Sequence, residues 1–212
     1  MKIAIFSLNK SKLEKHIVTI KSYLSNISDM PDIILAVGGD GTFLAAEHAF
    51  PGVPKFLVKD GSICNKCEID SLDEALKRII TRKFYVADFN KIRAEFNNYK
   101  LEAANEISIR NIEPTHAIRF KVKVNEKQLS HQFIGDGLVV STAFGSQGYF
   151  RSITKMFFND GYGLAFNNVT INHEPILLPD FKIEVMITRG SAYLVADNNL
   201  DVKIMHDGDV VT

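Results

Sequence analysis

The chain has 212 residues, 46% of them apolar, enough to bury a core in one large domain or two small ones. Its 25 basic and 25 acidic residues cancel, which argues against nucleic-acid or membrane partners held by bulk charge and makes any phosphate site a local one. No apolar run approaches the roughly 20 residues of a membrane span, and the opening Met1-Lys2-Ile3-Ala4-Ile5-Phe6 is too short and strand-like for a signal peptide, so a cytoplasmic location is expected.

The first elements alternate between strand and helix. Lys2 to Leu8 reads as a buried strand. Ser11-Lys12-Leu13-Glu14 is a capping box, followed by Leu13, Ile17, Ile20 and Leu24 on one helical face. Asp32 to Val37 is a second strand, Thr42 to Phe50 a short helix ended by Pro51-Gly52, and Lys55 to Lys59 a third strand. Ser71-Leu72-Asp73-Glu74 opens another helix with Leu72, Leu76 and Ile79 inward. Such alternation implies a mostly parallel sheet covered by helices, an α/β domain over 1–84.

Near residue 84 the texture changes to short strands: Phe84 to Phe89, Lys91 to Phe96, Leu101 to Arg110, Ala117 to Asn125, Gln132 to Thr142, Phe181 to Ile187 and Ala192 to Ala196. One helix is expected among them, from Ser146 to about Phe158. Many short strands and few helices imply an all-β, sandwich-like second domain over 85–212.

Chemistry concentrates in the run Ile33-Ile34-Leu35-Ala36-Val37-Gly38-Gly39-Asp40-Gly41-Thr42-Phe43-Leu44. An apolar strand runs into glycines that let backbone come close to a ligand, and a helix start adds partial positive charge, so together they suit phosphate. A carboxylate amid such a cradle repels the anion beside it, so Asp40 is expected to handle a proton or a metal. The alternative is a tight turn with Asp40 as a helix cap. Cys64 and Cys67 are spaced C-x-x-C with no second pair; two ordinary reduced thiols are expected, with a disulfide clip or a metal site as alternatives.

Gly38 to Thr42 resembles the GGDGT signature shared by NAD kinases, diacylglycerol and sphingosine kinases and 6-phosphofructokinases. Two further segments resemble NAD kinases in particular. They are Ala104-Asn105-Glu106-Ile107, like that family's N-E pair, and Asp136 to Tyr149, like its D-G-x-x-[VI]-S-T-P-T-G-S-T-A-Y run. The resemblance covers roughly residues 30–200 and implies an N-terminal Rossmann-like domain followed by a β-sandwich-like one. It implies a kinase that phosphorylates the 2′-hydroxyl of the adenosine ribose of NAD, with ATP or polyphosphate as donor. By the same resemblance Asp40 accepts the hydroxyl proton, and amides of Gly38, Gly39, Gly41 and Thr42 hold the donor's phosphates. Asp40, Gly41, Asn105, Glu106, Asp136, Ser146, Tyr149 and Asp197 contact NAD, and magnesium arrives with the donor, held mostly by phosphates and water. A homodimer or homotetramer is also implied.

Several positions depart from the family pattern. Ala143-Phe144 stand where Pro-Thr is usual, and Gln147-Gly148 where Thr-Ala is usual. The loop Lys59-Asp60-Gly61-Ser62-Ile63-Cys64-Asn65-Lys66-Cys67 lacks the family's leucine and phenylalanine, so Ile63 is a candidate to cover the adenine. The chain is shorter than typical members and is expected to lack most of a C-terminal helical return. Lysines 55, 59 and 66 are read as solvated surface charges, with phosphate contact as the alternative, and His173 as a structural turn residue. These departures keep a non-catalytic NAD or NADP sensor open as a second function. A lipid kinase is disfavoured by the Asp136 to Tyr149 run, and a phosphofructokinase by length.

Overall fold

Ile3–Phe6 (β1), Ile33–Gly38 (β2) and Lys55–Lys59 (β3) pair in parallel with β2 in the middle. The structure is a computed structural model. It describes every residue except 1, 24–29, 61–63, 65, 68–70, 130 and 131, and divides into two units, Met1–Asp88 and Phe89–Thr212. In the first unit, three helices cover the sheet: Lys10–Tyr23 (α1), Asp40–Ala49 (α2) and Leu72–Ile80 (α3). Both faces of β2 are apolar because both are covered, as a parallel strand requires. Ile33, Leu35 and Val37 pack with Ile20 of α1 and Leu72, Leu76 and Ile79 of α3. Ile34 and Ala36 pack against Ala46 of α2 on the opposite face. Of the face expected on α1, Ile20 is fully buried; Leu24 and the side chains of Leu13 and Ile17 lie outside the described positions.

Of the capping box expected at α3 the serine half forms: the Ser71 hydroxyl accepts the Glu74 amide at 3.4 Å, while Glu74 Oε1 accepts the Arg78 guanidinium. α1 begins one residue before Ser11, whose hydroxyl donates instead to Asn9 Oδ1 at 2.8 Å.

The two helices are tied by Tyr23, which donates to Asp73 Oδ1 at 2.5 Å, while Lys77 pairs with Asp73 Oδ2 at 2.5 Å. Hydrogen bonds from Lys77 and then Tyr23 hold the Asp73 carboxyl below its ordinary value. A depressed carboxyl adds stability above the unfolded value, about 3.9, and loses it as pH falls through the folded value. The bond to Asp73 raises the Tyr23 hydroxyl, so that share persists until pH climbs past about 10. Tyr23→Phe is therefore expected to unfold at lower temperature than the parent at neutral pH, with a gap that narrows in acid, as pH falls beneath the ordinary carboxyl range. Thermal unfolding at neutral and acid pH reads this directly.

Residues 84–89 form no strand, contrary to expectation. Phe84 packs edge-on against Phe56 with centroids 6.3 Å apart, but Tyr85, Val86 and Phe89 are exposed. Strand-like composition without a neighbour to complete the hydrogen-bond ladder leaves extended but unpaired chain.

The second unit is a sandwich. One six-stranded sheet runs Ile176–Leu178 (β12), Tyr162–Asn167 (β11), Gly137–Thr142 (β10), Glu106–Asn111 (β6), Ala192–Ala196 (β14) and Lys203–Met205 (β15). The other has Val210–Val211 (β16), Ile183–Arg189 (β13), Ile118–Val124 (β7) and Lys127–Gln128 (β8), with Phe133–Gly135 (β9) also pairing with β7. Ile92–Phe96 (β4) and Tyr99–Ala103 (β5) form a hairpin. Ile107, Ile109, Leu138, Leu164 and Leu194 from one sheet and Phe120, Val122, Val185 and Ile187 from the other share a single core.

Two segments expected as continuous strands are broken. Leu101 to Arg110 divides at Ala104-Asn105, and Gln132 to Thr142 divides at Asp136, where Gly137 takes φ 136°. The helix expected over 146–158 is only Tyr149–Thr154 (α4), entered from Gly148 and closed by Lys155 at φ 63°. β11 was not foreseen. Its sequence Tyr-Gly-Leu-Ala-Phe-Asn shows no alternation because both faces are covered: Leu164 enters the sandwich core, while Ala165 lies under Phe150 of α4 and Phe158.

Candidate active site

The glycine turn lies at the carboxyl end of β2, where ligands of parallel sheets bind. A Cβ on Gly38 would meet Thr42 Oγ1 at 2.1 Å, so only glycine lets the threonine tuck beneath the turn. Gly39 is the extended residue that starts α2, and no side chain caps the helix. Asp40 is the first helical residue and not a cap. Its carboxylate turns to the loop after β3, where Oδ1 accepts the Lys66 amide at 3.2 Å. An acid in the first turn is also favoured by the helix dipole.

The Thr42 amide, expected to hold donor phosphate, donates to Gly39 O at 2.9 Å and so braces the turn. One expectation here needs correcting. Cys64 and Cys67 were read as reduced thiols; they form a disulfide, their Cα atoms 5.5 Å apart and within the span such a bridge covers. Cys64 Sγ lies 3.4 Å from Asp40 Oδ1, and Cys67 Sγ lies 3.8 Å from Gly38 O. A disulfide sulfur has no proton to donate, so these are packing contacts that seat the altered loop on the glycine turn. Ile63 lies outside the described residues.

Lys55 is neither a solvated charge nor a phosphate ligand. Its ammonium pairs with Glu47 Oε2 and donates to Phe50 O at 2.5 Å, with the Lys55 side chain 3% exposed. Glu47 Oε1 also accepts the Gly52 amide at 3.0 Å, fixing the turn after α2. Removing one member of a buried pair leaves the other charge stranded. Glu47→Gln is expected to cost about 3 kcal/mol or more of unfolding free energy, read by denaturant titration.

In the second unit the sequence-predicted residues gather on the outer face of the six-stranded sheet. Ile107 and Ile109 point into the core, so Glu106, Ser108 and Arg110 point out. β10 and β11 place rows beside them: Ser141 and Gly163 next to Glu106, Val139 and Ala165 next to Ser108, Gly137 and Asn167 next to Arg110. Asn105 stands just before this face, 6% exposed. Its carbonyl accepts the Thr142 amide at 2.9 Å, and the Thr142 hydroxyl donates to Ala104 O at 2.6 Å. Asn105 Oδ1 is buried with no hydrogen-bond partner among the described residues.

Gly145 is needed because a Cβ there would lie 2.2 Å from Asn105 O and 2.4 Å from its Cα. A Cβ on Gly148 would stand 3.2 Å from Glu106 Oε2, so the start of α4 closes on the same pair. Tyr149 lies along the face: its hydroxyl accepts Asn167 Nδ2 at 3.1 Å, and the Arg110 guanidinium sits 5.5 Å above its ring. Asp136 is at the far end of β10 from Asn105, about 20 Å along the strand at roughly 3.3 Å per residue, where Oδ2 accepts Asn168 Nδ2 at 3.0 Å.

Two of the expected NAD contacts have other work. The Ser146 hydroxyl is 1% exposed and donates to Phe158 O at 2.7 Å, so it holds the turn into α4. Asp197 spends its carboxylate on backbone: Oδ2 accepts the Ala104 amide at 2.8 Å, and Oδ1 accepts the Asn105 and Glu106 amides at 2.8 and 3.0 Å. Arg110 and Asn167 were missed. The signal for Arg110 was its place on the polar side of an alternating strand; Asn167 had none. His173 packs on Phe133 and Phe166, a structural role as expected.

The chain aligns over its whole length with an NAD kinase of Sulfurisphaera tokodaii, at 26% identity and covering 86% of that relative. It is 36% identical to an NAD kinase of Pyrococcus furiosus over 126 residues, which span 57% of this chain and 45% of the relative. A solved NAD kinase of Archaeoglobus fulgidus in complex with ATP matches all of this chain and 89% of its own, at TM-score 0.78 and 20% identity. Yeast NADH kinase complexed with NADH superposes at TM-score 0.81 and 14% identity, over 79% of its length. The two structural likenesses speak to fold. No family model matches the chain.

Proposed function

The chain belongs to the NAD kinase family, and from that premise we propose that it moves a phosphoryl group from ATP or polyphosphate to the 2′-hydroxyl of the adenosine ribose of NAD, giving NADP. The observation that best supports an acceptor site is the Asn105 side chain. A buried amide oxygen without a donor is costly, and a ligand hydroxyl or amino group would satisfy it. Asn105 and Glu106 would hold ribose hydroxyls and the adenine edge. Tyr149, with Arg110 above its ring, would offer a flat surface to a nucleoside and a positive charge to the diphosphate. Asp136 would contact the dinucleotide further along the same face.

In the reaction the 2′-oxygen attacks the terminal phosphorus, a new P–O bond forms, and the bond to the leaving phosphate breaks. Asp40 takes the hydroxyl proton as its oxygen becomes nucleophilic. Backbone of Gly38, Gly39 and Gly41 and the positive end of α2 would steady the donor's phosphates. No cluster of three or more His, Cys, Asp or Glu stands ready for a metal among the described residues. The single carboxylate of Asp40 fits magnesium brought in on phosphates and water, which supplies charge neutralisation. The oligomer we propose is a homodimer or homotetramer, and light scattering on purified protein would weigh it.

The Lys66 amide and the disulfide loop over Asp40 favour one second reading, a protein that binds NAD or NADP without phosphorylating it. Turnover assays with NAD and NADH, each with ATP and with polyphosphate, separate the two. NADP formation is expected with at least one donor; tight NAD binding without turnover under every donor would favour the sensor. Cytoplasmic placement remains part of the proposal, and no helix among the described residues is long and apolar enough to cross a membrane.

A further inference from the structure

The geometry points to Asp197 as a positioning residue for the acceptor, one that shapes the Asn105-Glu106 site without touching NAD. This rests on the reading of that site given above. Asp197 directly follows β14 with φ 52°, a left-handed turn, and its side chain reaches the segment that leads into β6. Its own amide donates to Glu106 O at 2.9 Å, continuing the β14–β6 ladder by one step. Its two carboxylate oxygens then collect three consecutive amides, those of Ala104, Asn105 and Glu106.

Ala104 and Asn105 lie in the break between β5 and β6, outside either strand, and Glu106 is the first residue of β6. Three N–H groups converging on one point make an anion-binding concavity, and here the chain fills it with its own carboxylate. On the opposite side the Ala104 carbonyl accepts the Thr142 hydroxyl, and the Asn105 carbonyl accepts the Thr142 amide and the Ser141 hydroxyl. Gly145 closes the remaining space against Asn105. The segment is thus gripped through its amides by Asp197 and through its carbonyls by β10. The Asn105 amide oxygen is left as the group awaiting a partner.

A carboxylate hydrogen-bonded to three amides is better placed than any neutral group, because charge-assisted bonds are the stronger ones. Asparagine offers one acceptor oxygen and cannot serve all three amides, and alanine offers none. Loosening the segment lets the Asn105 and Glu106 side chains wander, and small misplacement costs affinity for the ligand they hold. Donor phosphates lie outside this argument, so the donor KM should stay unchanged.

The test uses Asp197→Ala, Asp197→Asn, Asn105→Ala and the double variant Asn105→Ala/Asp197→Ala. Three readouts are hydrogen exchange at the amides of 104–106, the calorimetric Kd for NAD, and the KM values for NAD and ATP. Asp197→Ala should lose protection at these amides and weaken NAD about tenfold or more, with the ATP KM unmoved and Asp197→Asn intermediate. In the double variant NAD binding should be little worse than in Asn105→Ala alone, since one residue acts through the other. Additive losses would show that Asp197 contacts NAD itself and would overturn the inference. Lost protection with an unchanged NAD Kd would also overturn it, as would unchanged protection. A parent protein that neither binds nor phosphorylates NAD would instead sink the reading of the whole site.

Discussion

Asp40→Asn should lower kcat between about a hundredfold and ten-thousandfold while leaving the Kd for NAD within about threefold. The substitution is nearly isosteric. Its amide oxygen can still accept the Lys66 N–H, so the loop seated on the turn keeps that hold. The glycines on either side and the Thr42 brace are untouched. The lost negative charge at the first turn of α2 costs a fraction of a kcal/mol, about 0.3–1, too little to unfold the unit. The variant removes the group proposed to take the hydroxyl proton. Steady-state kinetics with calorimetry on the same preparation check it; a variant retaining a third of the parent rate would mean that another base, or none, is needed.

Gly145→Ala should abolish saturable NAD binding in the assay range, a loss of about a hundredfold or more, while the unit still folds. The added methyl would sit 2.2 Å from Asn105 O, 2.4 Å from its Cα and 2.5 Å from its carbonyl carbon, all backbone that cannot rotate away. Either the loop 143–148 lifts or Asn105 is pushed off the grip of Thr142 and Asp197. Both outcomes misplace the residues held for the acceptor, and overpacking of this kind costs about 1–3 kcal/mol of stability besides. Gly52→Ala is the matched control: it has φ 73° but nothing within 4 Å of the new methyl, so it bears backbone strain alone. It should leave the NAD Kd at the parent value. A Gly145→Ala protein that binds NAD normally would detach this loop from the site.

What could be read directly from residues was the part in which identity and geometry coincide. Gly38-Gly39-Asp40-Gly41-Thr42 admits few backbones, and the apolar run before it reads as a strand. The alternation of Val122 and Val124 with lysines 121 and 123 likewise marked β7, within the strand expected over Ala117 to Asn125. What stayed hidden depends on partners distant in the chain. Asp197 reaches amides more than ninety residues earlier, and nothing near it marks three waiting N–H groups. Ser146 looked like a ligand because it sits in the motif, yet its hydroxyl serves Phe158, twelve residues on. Lys55 carries a charge that surface reasoning places in water, and only the packing of α2 against β3 shows it buried on Glu47. Phe84 to Phe89 had strand composition but no ladder to join.

The most direct measurement is the chemical identity of the product. Purified protein is incubated with NAD, ATP and magnesium, and the product is examined by mass spectrometry and phosphorus NMR, beside a parallel reaction with 2′-deoxy-NAD. One added phosphate on the 2′-oxygen of the adenosine ribose, and no product from the deoxy compound, is the predicted result. A phosphate on any other oxygen, or turnover of 2′-deoxy-NAD, would contradict it.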